Sequence, residues 1–174
     1  MEQPLRIFLV GFMGCGKSTT GRRLAAALGW SCIDTDGFIE RRYHRTIPQI
    51  FEEKGEAGFR QIERAVITEL SDYEQVVIAT GGGLACFADN MALMNARGLT
   101  VYLQTPVPLL VERLWHAKTQ RPLLMGKSRD ELTTFVGDLL AQREPFYRQA
   151  ALIVDVKNDG DFAHIDDIVR RVRD

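Results

Sequence analysis

Gly11-Phe-Met-Gly-Cys-Gly-Lys17-Ser18 follows an apolar run at residues 7–10 and opens a stretch with Leu24, Ala27 and Leu28 on one helical face. The spacing is G-x-x-x-x-G-K-[ST], and a strand before it with a helix after it is the context that makes this pattern a phosphate-binding loop. Glycines let backbone N–H groups turn inward around phosphate oxygens. The helix from Lys17 adds its positive dipole end and its free N–H groups. The loop residues Gly14, Cys15, Gly16, Lys17, Ser18 and Thr19 are therefore the expected contacts to a nucleoside triphosphate. Lys17 is expected on the β- and γ-phosphates, and the Ser18 hydroxyl on Mg²⁺. Cys15 reads either as a small residue that fits the loop or as a thiol activated by the helix end.

Outward from the loop, short apolar runs recur at residues 7–10, 32–33, 76–79, 100–103 and 152–154. Each reads as a strand buried on both faces. Helical patterns cover roughly residues 47–56, 58–70, 89–96, 108–115, 129–149 and 163–172. Strands alternating with helices predict a parallel sheet covered by helices. Some forty residues separate the second and third apolar runs, more than one crossover needs. The excess, about residues 36–72, is expected to form a substrate-holding insertion at the C-terminal edge of the sheet.

The chain has 174 residues, 45% of them hydrophobic, which suits a single well-buried core. A formal net charge of −1 gives no overall field to draw it to nucleic acid or a membrane surface. No apolar run is long enough to span a bilayer, and residues 7–10 are too short for a signal-peptide core. Three unpaired cysteines suit a reducing cytoplasm. Three scattered histidines offer no zinc pattern. A monomer is the expected assembly.

Asp34 and Asp36 follow the second apolar run, and strand alternation would put them on one side. Near phosphates, one carboxylate can support Mg²⁺ while the other orients an attacking hydroxyl. Taken alone, the pair reads equally as a polar turn with Asp36 capping a helix from Gly37. Gly81-Gly82-Gly83 directly after the third run would let a ligand approach the backbone, or would simply turn the chain into a helix. Arg60 and Arg143 present planar forks that match a carboxylate. Glu63 lies three positions after Arg60 on one helix and can pair with it. Each arginine also reads as an ordinary helix charge, and Glu-Pro after Arg143 reads as helix-breaking. The stretch 116–129, with Lys118, Arg121, Lys127 and Arg129, reads as a basic flexible flap.

Together these segments resemble shikimate kinase, over essentially the whole chain. The resemblance rests on Gly11–Ser18, Asp34-Thr-Asp36, Phe59-Arg60-Gln-Ile-Glu63, Ala79-Thr-Gly81-Gly82-Gly83, Arg121-Pro122-Leu123-Leu124 and Arg143-Glu-Pro-Phe-Tyr147-Arg148. It implies a P-loop α/β fold in three α/β/α layers, with a five-stranded parallel sheet, a helical substrate-binding insertion and a mobile lid at about 116–129. It implies transfer of the γ-phosphoryl group of ATP, with Mg²⁺, to the 3-hydroxyl of shikimate, in aromatic amino-acid biosynthesis. By the same resemblance, Asp36 serves as base or orienter and contacts the shikimate hydroxyls, and Asp34 supports Mg²⁺ with Ser18. Arg60 and Arg143 clamp the shikimate carboxylate, Gly82 and Gly83 offer backbone N–H groups to it, and Arg121 reaches the phosphates from the lid. Lys118 or the loop after Asp155 is expected near adenine. A gluconate-type kinase and a non-catalytic nucleotide sensor are the competing readings. The glycine triplet and arginine pair speak against the first, the intact Lys17, Ser18, Asp34 and Asp36 against the second.

Overall fold

A computed structural model describes residues 4–117, 122–158, 160 and 162–174. Five strands, β1 (Arg6–Val10), β2 (Ser31–Asp34), β3 (Val76–Ala79), β4 (Leu99–Gln104) and β5 (Leu152–Asp155), form one sheet in the order β2-β3-β1-β4-β5. All its pairings are parallel. The helices are α1 (Lys17–Leu28), α2 (Thr35–Tyr43), α3 (Ile47–Leu70), α4 (Asn90–Arg97), α5 (Val107–Ala117), α6 (Arg129–Tyr147) and α7 (Ala163–Arg173). A parallel sheet needs a crossover between successive strands, and these helices supply it.

The three inner strands carry the apolar core. In β1, Ile7 to Val10 are fully buried, as are Val77 and Ile78 of β3 and Val101 and Leu103 of β4. The edge strands depart from the expected two-sided burial. In β2 no residue is fully buried, and Ile153 of β5 is 39% exposed. Each has a paired neighbour on one side only, so fewer helices reach its faces.

The chain between β2 and β3 folds as α2 and α3. The α2 helix is not among the helical patterns of the sequence; it begins at Thr35, ahead of a start at Gly37, and its cap is Asp34 and not Asp36: the Asp34 carboxylate accepts from the N–H groups of Asp36 and Gly37. A reciprocal capping box starts α3: Gln49 N–H donates to the Thr46 hydroxyl, and the Gln49 side chain accepts from Thr46 N–H. The two helical patterns expected at 47–56 and 58–70 are one element bent at Gly55, where φ is 69° and ψ is 178°. That conformation is open essentially to glycine alone. Phe51 and Phe59 meet across the bend with ring centroids 4.5 Å apart. Pro145 does not break its helix: α6 continues through it to Tyr147. It lies two residues from the helix end, so the bend it can cause displaces only the last turn. Among the described residues, no helix is long and apolar enough to cross a membrane.

Candidate active site

Three strand ends meet at the C-terminal edge of the sheet. After β1 the chain turns through Gly14 and Gly16, whose φ values of 81° and 93° are left-handed and favour glycine. Gly16 is also the N-cap of α1, so the loop runs straight into the helix N-terminus. The Lys17 ammonium lies back along its own loop, donating to Gly11 O at 2.6 Å and Phe12 O at 3.0 Å. From α1, the Ser18 hydroxyl donates to Asp34 Oδ2 at 2.5 Å. The loop after β1 and the end of β2 thus converge on one hydroxyl–carboxylate pair.

Asp34 and Asp36 do not share a side by strand alternation. The chain becomes helical at Thr35, so Asp34 closes the strand and Asp36 sits in the first turn of α2. Both carboxylates still line a cavity of about 420 Å³ with the glycine-rich loop, Gly81 and Gly82. Arg113 of α5, Val156, Asn158 and Gly160 after β5, and Phe162 and His164 line the same cavity. The loop after Asp155 therefore borders this cavity, whereas Lys118 lies outside the described residues. His164 Nε2 lies 3.1 Å from the Thr20 hydroxyl, and the Arg23 guanidinium covers Phe162 at 3.7 Å from the ring centroid. These contacts seat α7 against α1. Sequence reasoning missed Arg113, whose guanidinium donates to Gly14 O at 3.1 Å. No motif marks it, because only the packing of α5 brings it to the loop.

Each residue of the glycine triplet faces a different charged side chain. A Cβ on Gly81 would stand 2.8 Å from Asp36 Oδ1 and 3.1 Å from Glu63 Oε2. One on Gly82 would stand 3.4 Å from an Arg143 nitrogen, and one on Gly83 2.8 Å from Arg60 Cζ. The triplet is therefore a close-approach surface. Tyr147 pins it by donating its phenol hydrogen to Gly82 O at 2.5 Å, and Gly81 N–H donates to the Thr35 hydroxyl at 2.9 Å. Burial pushes the Tyr147 phenol pKa well up, so it remains a donor.

Arg60 and Arg143 come together on a second cavity of about 690 Å³, which Gly83 also lines. The two cavities adjoin at the triplet, since Gly82 lines the first and Gly83 the second. Glu63 is 1% exposed and accepts from Arg60 at 2.5 Å. Burial lifts its pKa to about 7, against the pull of Arg60 and with a push from Asp36. Cys15 is 1% exposed, with Lys17 Nζ 3.7 Å from its sulfur, so the loop thiol is packed away from solvent. Arg121 lies outside the described residues.

The donor set fits Mg·ATP on structural grounds. A hydroxyl and a carboxylate already meet at Ser18 and Asp34, beside an ammonium and a helix N-terminus. Among the described residues there is no His/Cys/Asp/Glu cluster of the kind that holds a resident metal by itself.

Comparison with known proteins places the chain in a family. The family model described as "Shikimate kinase" matches residues 13–173. The curated shikimate kinase of Parabacteroides distasonis is 49% identical over 152 residues, covering 87% of this chain and 88% of the relative. A 1.7 Å crystal structure of shikimate kinase from Bacteroides thetaiotaomicron superposes with a TM-score of 0.89 at 46% identity, covering 97% of this chain and 96% of that one. A structure of the Acinetobacter baumannii shikimate kinase in complex with shikimate superposes with a TM-score of 0.88 at 39% identity, covering 98% and 93%. By sequence along nearly all its length, and by fold, the chain belongs to the shikimate kinase family.

Proposed function

We propose that the two adjoining cavities divide one reaction between them: the γ-phosphoryl group of ATP moves to the 3-hydroxyl of shikimate, giving ADP and shikimate 3-phosphate. The observation that carries this reading is the glycine triplet. It holds the hydroxyl-orienting Asp36 against Gly81 and the two arginines against Gly82 and Gly83. A substrate lying along that surface would meet a carboxylate at one end and two guanidinium groups at the other. That polarity suits a ring acid whose reacting hydroxyl is remote from its carboxylate.

Asp36 accepts the hydrogen bond of the attacking hydroxyl and takes its proton as the new oxygen–phosphorus bond forms. The bond from the γ-phosphorus to its bridging oxygen breaks, and ADP leaves with the electron pair. Lys17, the loop N–H groups of Gly14 to Thr19 and the α1 N-terminus hold the phosphates and meet the charge that grows on them. Ser18 and Asp34 would hold Mg²⁺, which when bound screens the phosphate charges. Arg60 and Arg143 grip the shikimate carboxylate through paired N–H donors. The backbone N–H groups of Gly82 and Gly83 face the same ligand. Arg121 is assigned to the transferring phosphoryl group from the sequence alone. Residues 36–72 serve as the substrate-holding insertion and 116–129 as the lid that excludes water.

We further read the enzyme as a cytoplasmic monomer that needs neither nucleic acid nor a membrane. Steady-state ATP turnover tests the central reading. ADP release is expected only when shikimate is present and not when gluconate replaces it. Equal turnover without any acceptor, or with gluconate, would refute it. Sedimentation velocity tests the monomer.

A further inference from the structure

The arginine pair opens on the second cavity, and that cavity has a wall the proposed reaction does not use. Apart from the guanidinium groups and the side chains of Glu56 and Gln142, its surface is largely carbon: Ala57 from α3, Phe87 after the glycine turn, and Leu139 and Phe146 from α6. At about 690 Å³ it offers far more room than one carboxylate occupies. Asp36 and Gly81 line the other cavity and not this one. A polyhydroxylated ring pressed against the Phe87, Leu139 and Phe146 side chains would set hydroxyls against carbon, which is costly. An aromatic body would instead remove apolar area from water and pack edge or face against Phe87 and Phe146. Its charge must be negative. Arg60 is one-seventh exposed (14%) and Arg143 is partly buried, whereas the Glu56 carboxylate, 3.7 Å from Arg60, is 73% exposed and can turn to solvent.

We propose that this second cavity is a binding site for small aryl carboxylates, whose carboxylate takes the Arg60–Arg143 pair from the side opposite Asp36. Such a ligand is an inhibitor. It occupies the guanidinium groups that the substrate needs, and its competition with shikimate rests on the clamp proposed above. Occupancy leaves the glycine-rich loop and its nucleotide untouched.

The test uses the full-length chain with 3-phenylpropanoate as probe. The expected pattern is inhibition competitive with shikimate and not with Mg·ATP, in the ~1–10 mM range usual for a ligand of this size. The neutral 3-phenylpropanamide should be about tenfold weaker or worse, having lost the charged hydrogen bonds. Cys86 lines the same cavity and supplies a readout independent of turnover. Burial raises its thiol pKa, so alkylation by N-ethylmaleimide is followed by mass spectrometry at about pH 8.5. The acid should slow it about threefold or more at ~20 mM, and gluconate should not. Leu139→Gln, outside the proposed catalytic machinery, should weaken inhibition about fivefold while kcat and the KM for shikimate stay within about twofold. Unchanged Cys86 alkylation at saturating acid, or equal inhibition of Leu139→Gln and the parent, would overturn the proposal. Protection of Cys86 without competition against shikimate would uphold the aryl-carboxylate site and remove the arginine clamp from the substrate reading, so the two failures are distinguishable.

Discussion

Arg60 donates to Glu63 at 2.5 Å, and Glu63 stands close enough to Gly81 that its Oε2 would lie 3.1 Å from a Cβ there, beside Asp36. One buried carboxylate thus touches the proposed substrate clamp and neighbours the proposed base. Its pKa of about 7 means that it carries a proton in part of the population at neutral pH. A shikimate carboxylate gripped by Arg60 and Arg143 adds negative charge nearby and raises that pKa further. The bound state then holds more protons than the free state. Shikimate binding should take up protons near pH 7 and strengthen as pH falls from about 8 toward 6. Calorimetry in buffers of different ionisation enthalpy measures the uptake. Glu63→Gln should abolish it, and zero uptake in the parent would remove Glu63 from the linkage. Stability runs in the same direction. The folded state keeps a proton that the unfolded chain releases at 4.5, so Glu63's contribution falls as pH rises from there to about 7.

Asp36→Asn is expected to lower the single-turnover rate by ~10²–10⁴, the usual loss for a positioned base, with ATP affinity unchanged. Asp34→Asn separates the two carboxylates. Asn remains a good N-cap, so the contacts from Asp36 N–H and Gly37 N–H survive and α2 starts where it should. What is lost is charge beside Ser18, and the variant should need more Mg²⁺ for half-maximal rate. A rate for Asp36→Asn within about threefold of the parent would reject the base.

The glycine triplet allows a sharper separation. Gly81→Ala presses on Asp36 and Glu63, so it should act mainly on kcat. Gly83→Ala presses on the Arg60 guanidinium, so it should raise the KM for shikimate about tenfold or more with kcat less affected. The KM for ATP should hold in both. Identical kcat and KM patterns for the two variants would show that the triplet acts only as a structural turn.

Arg60→Lys and Arg143→Lys should each weaken shikimate binding by roughly 1.5–3 kcal/mol, the scale of hydrogen bonds to charged groups. An ammonium cannot reproduce the guanidinium fork. The double variant should lose less than the sum, because both residues grip one group. Titration with shikimate and with an analogue lacking the carboxylate measures this. Equal affinity of the parent for the two would sink the clamp.

Cys15 should resist maleimide whether or not nucleotide is present, since its sulfur is packed inside the loop. Cys32 and Cys86 are partly exposed and should react first. Rapid labelling of Cys15 in the folded chain, blocked by Mg·ATP, would restore the activated-thiol reading.

Local signals carried most of the fold and the glycine-rich loop of the candidate site. A glycine-rich loop between an apolar run and a helix is a short-range pattern, and its backbone N–H groups take positions that the sequence itself dictates. The inner strands were legible for the same reason, as continuous apolar runs. The edge strands looked alike in sequence but are half exposed, because edge position is set by the order β2-β3-β1-β4-β5 and not by any local pattern. Asp34 and Asp36 were legible as residues, but their geometry was not. A side-chain cap at Asp34 competes with strand extension and wins, which turns Asp36 into the first helical turn.

Only the tertiary structure decided the rest. Arg60 and Arg143 lie 83 positions apart, and nothing along the chain says that they share a cavity; the packing of α3 and α6 around the glycine triplet does. Arg113 and His164 reach the cavity of the glycine-rich loop in the same way, carried on helices whose own patterns speak only of burial. The raised pKa of Glu63 is likewise a product of enclosure, since a carboxylate three residues from an arginine on an exposed helix would shift the other way. Sequence specifies which groups are present and what each can do. Folding sets the distances and the dielectric surroundings on which charge interactions depend.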